Sequence, residues 1–149
     1  MNPPIALVDE AATLALGARL AETIQPGQVI FLHGNLGAGK TTLVRGYLHA
    51  LGHTGAVKSP TFTLVEEYHF HHLRVFHFDL YRLHDPEELE WMGIRDYFFA
   101  DTIVFVEWPE RGAGFLPPAD FEITLIYDGV SRLAEMTGSS SLANHPPKE

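Results

Sequence analysis

The stretch Gly34-Asn35-Leu36-Gly37-Ala38-Gly39-Lys40-Thr41 constrains this chain more than any other part of it. It has the form G-x-x-x-x-G-K-[ST], a loop that wraps a phosphate when a strand precedes it and a helix follows. Both flanks are present. Val29-Ile30-Phe31-Leu32-His33 is an apolar, β-rich run that reads as a buried strand. From Thr41 to Leu51 apolar residues recur at helical spacing, and Gly52 closes the segment.

Each position of the loop has a chemical reason. Glycines let the backbone curl so that successive N–H groups point inward, and the new helix adds the positive end of its dipole. Lys40 has the reach for β- and γ-phosphates, and the Thr41 hydroxyl suits Mg²⁺. The expected nucleotide-binding set is therefore Gly34, Asn35, Leu36, Gly37, Ala38, Gly39, Lys40, Thr41 and Thr42, with ATP and Mg²⁺ as ligands.

With 149 residues, 46% of them hydrophobic, the chain has material for one well-packed domain, expected over 1–137, with a disordered tail over 138–149. The absence of cysteine excludes disulfides and thiolate metal sites and suits a reducing compartment. The first ten residues carry no basic region, and no apolar run is long enough to span a bilayer, so a cytoplasmic, membrane-free protein is expected. Ten basic residues against nineteen acidic ones give a formal charge of −9, which argues against this chain alone gripping a nucleic-acid backbone.

Periodicity predicts a helix over 9–24 with Leu14, Ala18, Ala21 and Ile24 on one face, and strands over 61–68 and 73–80 joined as a hairpin. Short helices are predicted over 86–92 and 94–99, the first opened by a capping box from Asp85 to Glu88. Strands follow at 102–107, 121–127 and 132–137, with a proline-rich loop over 109–118. Strands and helices ordered around such a loop imply an α/β fold. Its form is a three-layer P-loop NTPase-like sandwich with a mainly parallel, mixed central sheet that includes a β-hairpin.

A P-loop hydrolase also needs carboxylates at the ends of neighbouring strands, where the ligand crevice lies. Two runs end that way, Ile103-Val104-Phe105-Val106-Glu107 and Val75-Phe76-His77-Phe78-Asp79. Glu107 and Asp79 are the catalytic candidates. The division favoured makes Glu107 the Mg²⁺ ligand and Asp79 the residue that orients or activates water or a further ligand, with the reverse left open. Ser59 and Thr61, on either side of Pro60, read either as a switch-like loop or as a plain strand start. Trp108 is placed beside the nucleotide or in the core, and Arg82 and Arg111 either face the site or form surface ion pairs. His69, His71 and His77 share a parity, but a polar hairpin tip explains them better than a metal site.

Three further segments narrow the reading. Ser59-Pro60-Thr61-Phe62-Thr63-Leu64-Val65-Glu66-Glu67-Tyr68, His77-Phe78-Asp79-Leu80-Tyr81-Arg82-Leu83 and Val106-Glu107-Trp108-Pro109-Glu110, with the P-loop, closely resemble the bacterial TsaE (YjeE) family. The 85–98 segment and Leu116-Pro117 match as well, so the likeness runs from about Asp9 to Tyr127. The resemblance implies the ATPase component of the machinery that makes threonylcarbamoyladenosine in tRNA, working with TsaB and TsaD, which make most of the tRNA contacts. It implies phosphate and Mg²⁺ at Lys40 and Thr41, Mg²⁺ at Glu107, hydrolysis through Asp79, a switch at Ser59 and Thr61, and Trp108 beside the nucleotide. Asn35 stands where the family usually carries Asp, and the match weakens after Asp128.

Two other readings stay open from the residues alone. A small-molecule kinase shares the P-loop, but its arginine-rich lid is not visible among seven scattered arginines. A non-enzymatic adaptor would use the bound nucleotide only to gate a partner. A GTPase lacks support, because no N-K-x-D motif occurs.

Overall fold

The computed structural model describes residues 3–138. In chain order they form β1 (Ile5–Leu7), α1 (Glu10–Leu20), β2 (Val29–His33), α2 (Lys40–Ala50), β3 (Val65–Phe70) and β4 (Leu73–Asp79). There follow α3 (Glu87–Trp91), β5 (Thr102–Glu107), β6 (Phe121–Asp128) and β7 (Ser131–Gly138), with 3-10 turns at Ile94–Tyr97 and Pro109–Gly112. The seven strands make one sheet in the order β1-β7-β6-β2-β5-β4-β3. Its four inner strands, β6-β2-β5-β4, are parallel, and the antiparallel pairings β3–β4, β6–β7 and β1–β7 lie toward the edges. The mixed α/β sheet read from the sequence is the one observed.

Strand periodicity divides the core between two faces. Ile30, Leu32, Ile103 and Phe105 meet Leu16, Leu20, Leu43, Val44, Tyr47 and Leu48 of α1 and α2. Phe78, Val104 and Val106 face the other way, onto Leu80, Leu89 and Ile94. Each fully buried Leu, Ile or Phe contributes about 1.5–3 kcal/mol. The second face is covered mostly by short α3 and loops, so this layer is thinner than the helical one.

Helix α1 differs from its expected form. It ends at Leu20, and its buried positions are Thr13, Leu16, Gly17 and Leu20 rather than the expected stripe through Leu14, Ala18 and Ala21. Close approach of the two helices is the reason. A Cβ on Gly17 would lie 2.2 Å from the Leu43 carbonyl oxygen, and one on Gly46 would lie 2.2 Å from the Leu14 carbonyl oxygen. The face is centred on a residue with no apolar signal, within a helix rich in Ala and Leu all round. Asp9 caps the helix, its Oδ1 accepting from Ala12 N at 2.9 Å. Asp9→Ala is expected to cost about 1 kcal/mol, read as a lower urea midpoint with unchanged slope.

Three further differences matter. Strand β3 starts at Val65, not Thr61. Residues 61–64 form a turn in which Leu64 N bonds Pro60 O at 2.8 Å and Leu64 has φ 74°. The short β1 has no counterpart in the periodicity reading. Gly138, expected to begin the tail, is the last residue of β7, and the rest of that tail, 139–149, lies outside the described residues. Half of the capping box forms as read: Asp85 N donates to Glu88 Oε2 at 3.2 Å, but the Asp85 Oδ1 accepts from Glu87 N at 3.0 Å while Glu88 N bonds the Asp85 carbonyl at 2.9 Å.

Candidate active site

The loop 34–39 leaves the C-terminal end of β2 and turns directly into α2. Gly39 is the N-cap, with φ 110°, a backbone conformation that a side chain would strain. No side chain caps α2, so its first-turn N–H groups are left for an anion. From the other side, Tyr127 Oη donates to Leu36 O at 2.5 Å and Arg132 Nη2 donates to Gly37 O at 3.3 Å, so the β6–β7 hairpin holds the loop in shape. Sequence reasoning missed both residues, because β6 and β7 carry no motif of their own.

Strands β4 and β5 are parallel neighbours with Asp79 opposite Glu107, so both carboxylates emerge together beside α2. Glu107 is 3% exposed, and its Oε2 accepts the Thr41 hydroxyl at 3.0 Å. Asp79 is 4% exposed and hydrogen-bonded through both oxygens. Its Oδ2 accepts from Ser59 Oγ at 3.0 Å and lies 3.4 Å from Thr61 Oγ1, which bonds the Ser59 hydroxyl at 2.8 Å, and its Oδ1 accepts from Tyr81 N at 3.0 Å. These bonds explain the turn at 61–64: the hydroxyls of Ser59 and Thr61 serve Asp79, and the strand cannot begin until they have done so.

Lys40 is 5% exposed. Its ammonium donates to the Gly34 carbonyl and lies 4.1 Å from the centroid of the Trp108 ring. Burial pushes its pKa below the ordinary lysine value, and the opposing fields of Glu107, Asp79 and Glu110 offset only part of that. Trp108 has φ 58°, a left-handed conformation that costs a non-glycine residue about 1–2 kcal/mol. That backbone turn puts its ring against Lys40 and 5.0 Å from the Tyr81 ring, so Trp108 borders the site.

These groups converge on one cleft of about 410 Å³, lined by Leu36, Gly37, Gly39, Lys40, Thr41, Thr42, Ser59, Thr61, Asp79, Glu107 and Trp108, with Tyr81 and Arg82. Of the expected residues, Gly34, Asn35 and Ala38 shape the loop behind it. Arg82 reaches the cleft with its guanidinium 4.6 Å from the Phe62 ring centroid, and Arg111 lies 5.2 Å from that of Tyr81. Neither forms an ion pair among the described residues. A second recess of about 200 Å³ shares Gly37, Gly39 and Thr42 and is closed by Leu7, Thr13, Val130 and Arg132.

The donor chemistry fits the expected ligands. Thr41, Glu107 and Asp79 offer only oxygen, as a hard cation such as Mg²⁺ requires. The uncapped helix start and buried ammonium fit phosphate.

The histidines separate. His69 pairs with Glu67 at 2.5 Å, an acid of its own parity that the sequence reading passed over, and His71 lies against His72 at the hairpin turn. His77 does not belong to the tip. It is wholly buried in β4, 2.7 Å from Glu107 Oε2. Its signal was a lone polar residue in an apolar run, two positions before Asp79. No three His, Asp or Glu side chains gather at metal-binding distance among the described residues.

Comparison with known proteins gives the family and the fold. The model of the family described as threonylcarbamoyl adenosine biosynthesis protein TsaE matches residues 7–134. The Haemophilus influenzae protein named tRNA threonylcarbamoyladenosine biosynthesis protein TsaE is 48% identical over 142 residues, covering 92% of this chain and 90% of its own. The Bacillus subtilis protein of the same name is 38% identical over 118 residues, covering 79% and 73%. A crystal structure of Bacillus subtilis YdiB superposes with a TM-score of 0.78 at 28% identity, over 95% of this chain and 88% of that one.

Proposed function

This chain belongs to the TsaE family of threonylcarbamoyl adenosine biosynthesis proteins, and from that we propose that it is the family's Mg²⁺-dependent ATPase, acting with TsaB and TsaD in the cytoplasm. The observation that carries the reading is the convergence of Lys40, Thr41, Asp79, Glu107 and Trp108 on a single cleft at the ends of β2, β4 and β5. That cleft would take the triphosphate, and the adjoining recess lined by Leu7, Asp9, Glu10, Thr13, Val130 and Arg132, which shares the loop glycines, would take the nucleoside. When bound, Mg²⁺ neutralises charge on the phosphate oxygens and polarises the bond to be broken.

The chain's own residues do the rest. The α2 N-terminus and loop N–H groups hold phosphate oxygens in place, and Lys40 exchanges its bond to Gly34 O for the phosphates. Thr41 and Glu107 would hold the cation. Asp79 orients the attacking water and takes its proton. In the present structure the Ser59 hydroxyl, itself bonded to Thr61, and Tyr81 N both donate to the Asp79 carboxylate, so movement of the 59–64 loop would free Oδ2 for water. Slow hydrolysis by the isolated chain, and acceleration when a partner moves that loop, follow from this arrangement. The same occupancy favours the second reading, an adaptor that binds ATP without needing to turn it over.

Reconstitution with TsaB, TsaD and tRNA tests the proposal. Phosphate release from ATP is expected to rise when all partners are present, and threonylcarbamoyladenosine formation to exceed one turnover per complex only with this chain. Release indifferent to the partners contradicts the proposal. Full modification supported by a variant that binds but cannot hydrolyse ATP supports the adaptor instead. Phosphate appearing on a small molecule supports a kinase. The formal charge of −9 is consistent with tRNA being held mainly by the partners.

A further inference from the structure

His77 is left without a role by the chemistry above, yet it is the polar side chain packed most deeply beside the site. It sits within β4, wholly buried, on the same strand face as Asp79. The β4–β5 register sets His77 opposite Phe105 and Asp79 opposite Glu107, so the imidazole reaches Glu107 diagonally. Its Nε2 lies 2.7 Å from Glu107 Oε2, the oxygen that also accepts the Thr41 hydroxyl at 3.0 Å. Its Nδ1 is buried with no partner.

The partner of Nε2 decides which way that bond runs. A carboxylate oxygen only accepts, so Nε2 must donate. The ring is therefore a donor aimed at Glu107 through Nε2. Donors of this kind on a ligating carboxylate fix its orientation without touching the ligand.

We propose that His77 is a positioning residue that anchors Glu107 through Oε2, so that the carboxylate meets the cation of the bound nucleotide together with Thr41. The proposal rests on the cleft being a Mg²⁺–nucleotide site. His77 touches neither nucleotide nor metal. It acts only through Glu107.

Three substitutions separate anchoring from simple packing. His77→Gln puts an amide N–H near the Nε2 position, His77→Asn puts one near Nδ1, and His77→Leu removes the donor. Binding of a fluorescent ADP analogue is titrated with Mg²⁺ and repeated in chelator, and thermal midpoints are recorded. For His77→Leu and His77→Asn the apparent Mg²⁺ affinity is expected to fall roughly tenfold, with nucleotide binding in chelator unchanged. His77→Gln is expected to recover most of that loss. Unaltered Mg²⁺ dependence in His77→Leu overturns the proposal. So does equal weakening of binding with and without Mg²⁺, or a Gln variant no better than Asn. If His77→Leu fails to fold, the Gln and Asn pair decides the matter by the same comparison. A native chain whose nucleotide binding ignores Mg²⁺ sinks the nucleotide-site reading itself, which distinguishes the two failures.

Discussion

Replacing Asp79 with alanine is expected to lower partner-stimulated ATP hydrolysis by at least about 100-fold, the usual contribution of a positioned general base, while Mg²⁺–ATP binding survives. Glu107→Ala is expected to behave differently. It removes an oxygen ligand beside Thr41 and strands the buried N–H of His77, so the Mg²⁺-dependent part of binding goes together with turnover. Asp79 also tethers Ser59 and Thr61, so Asp79→Asn is the sharper variant. It keeps the shape and an acceptor for those hydroxyls but cannot take a proton. Hydrolysis retained by Asp79→Asn would assign Asp79 to tethering the loop. Hydrolysis lost, with the loop intact, assigns it to the water. Single-turnover phosphate release, alongside equilibrium binding of ATP, measures both arms.

The largest effect on stability is expected at Gly46. An added Cβ would lie 2.2 Å from the Leu14 carbonyl oxygen and 2.9 Å from two further backbone atoms of Leu14. Backbone of a packed helix cannot swing aside as the end of a flexible side chain does. Gly46→Ala must therefore push α1 away from α2, along the face that builds most of the core. Overpacking of this kind costs about 3 kcal/mol, against only a fraction of that gained from alanine's better helix propensity. For a chain of this size the thermal midpoint is expected to fall by about 6–12 °C, measured by circular dichroism. Gly17→Ala, which meets the Leu43 carbonyl from the other helix at 2.2 Å, is expected to give a similar loss. Because α2 begins at Lys40, this displacement also loosens the phosphate loop, and nucleotide binding weakens with stability.

The parts of the site legible in the sequence were those whose chemistry is local. The phosphate loop is contiguous, and its strand and helix flanks are marked by period and composition. Asp79 and Glu107 were legible because each ends an apolar run, and parallel register brings such ends together. The parts that escaped depend on contacts across long stretches of chain. Tyr127 and Arg132 hold the loop from about 90 residues away. His77 looked like one of a polar cluster at a hairpin, and only the β4–β5 register turns it beneath Glu107. The inner face of α1 was misread because its centre is Gly17, chosen for the space it leaves rather than for hydrophobicity. Strand β3 was placed too early because Thr61, Phe62 and Thr63 have high strand propensity, which the bonds from Ser59 and Thr61 to Asp79 override.

The most direct test of the central claim is calorimetric titration of ATP into the chain, with Mg²⁺ and in chelator, for the native sequence and Lys40→Ala. The account predicts one saturable site per chain, tighter with Mg²⁺ and abolished by Lys40→Ala without loss of fold. Binding that ignores both Mg²⁺ and Lys40, or no binding at all by the folded chain, would contradict it.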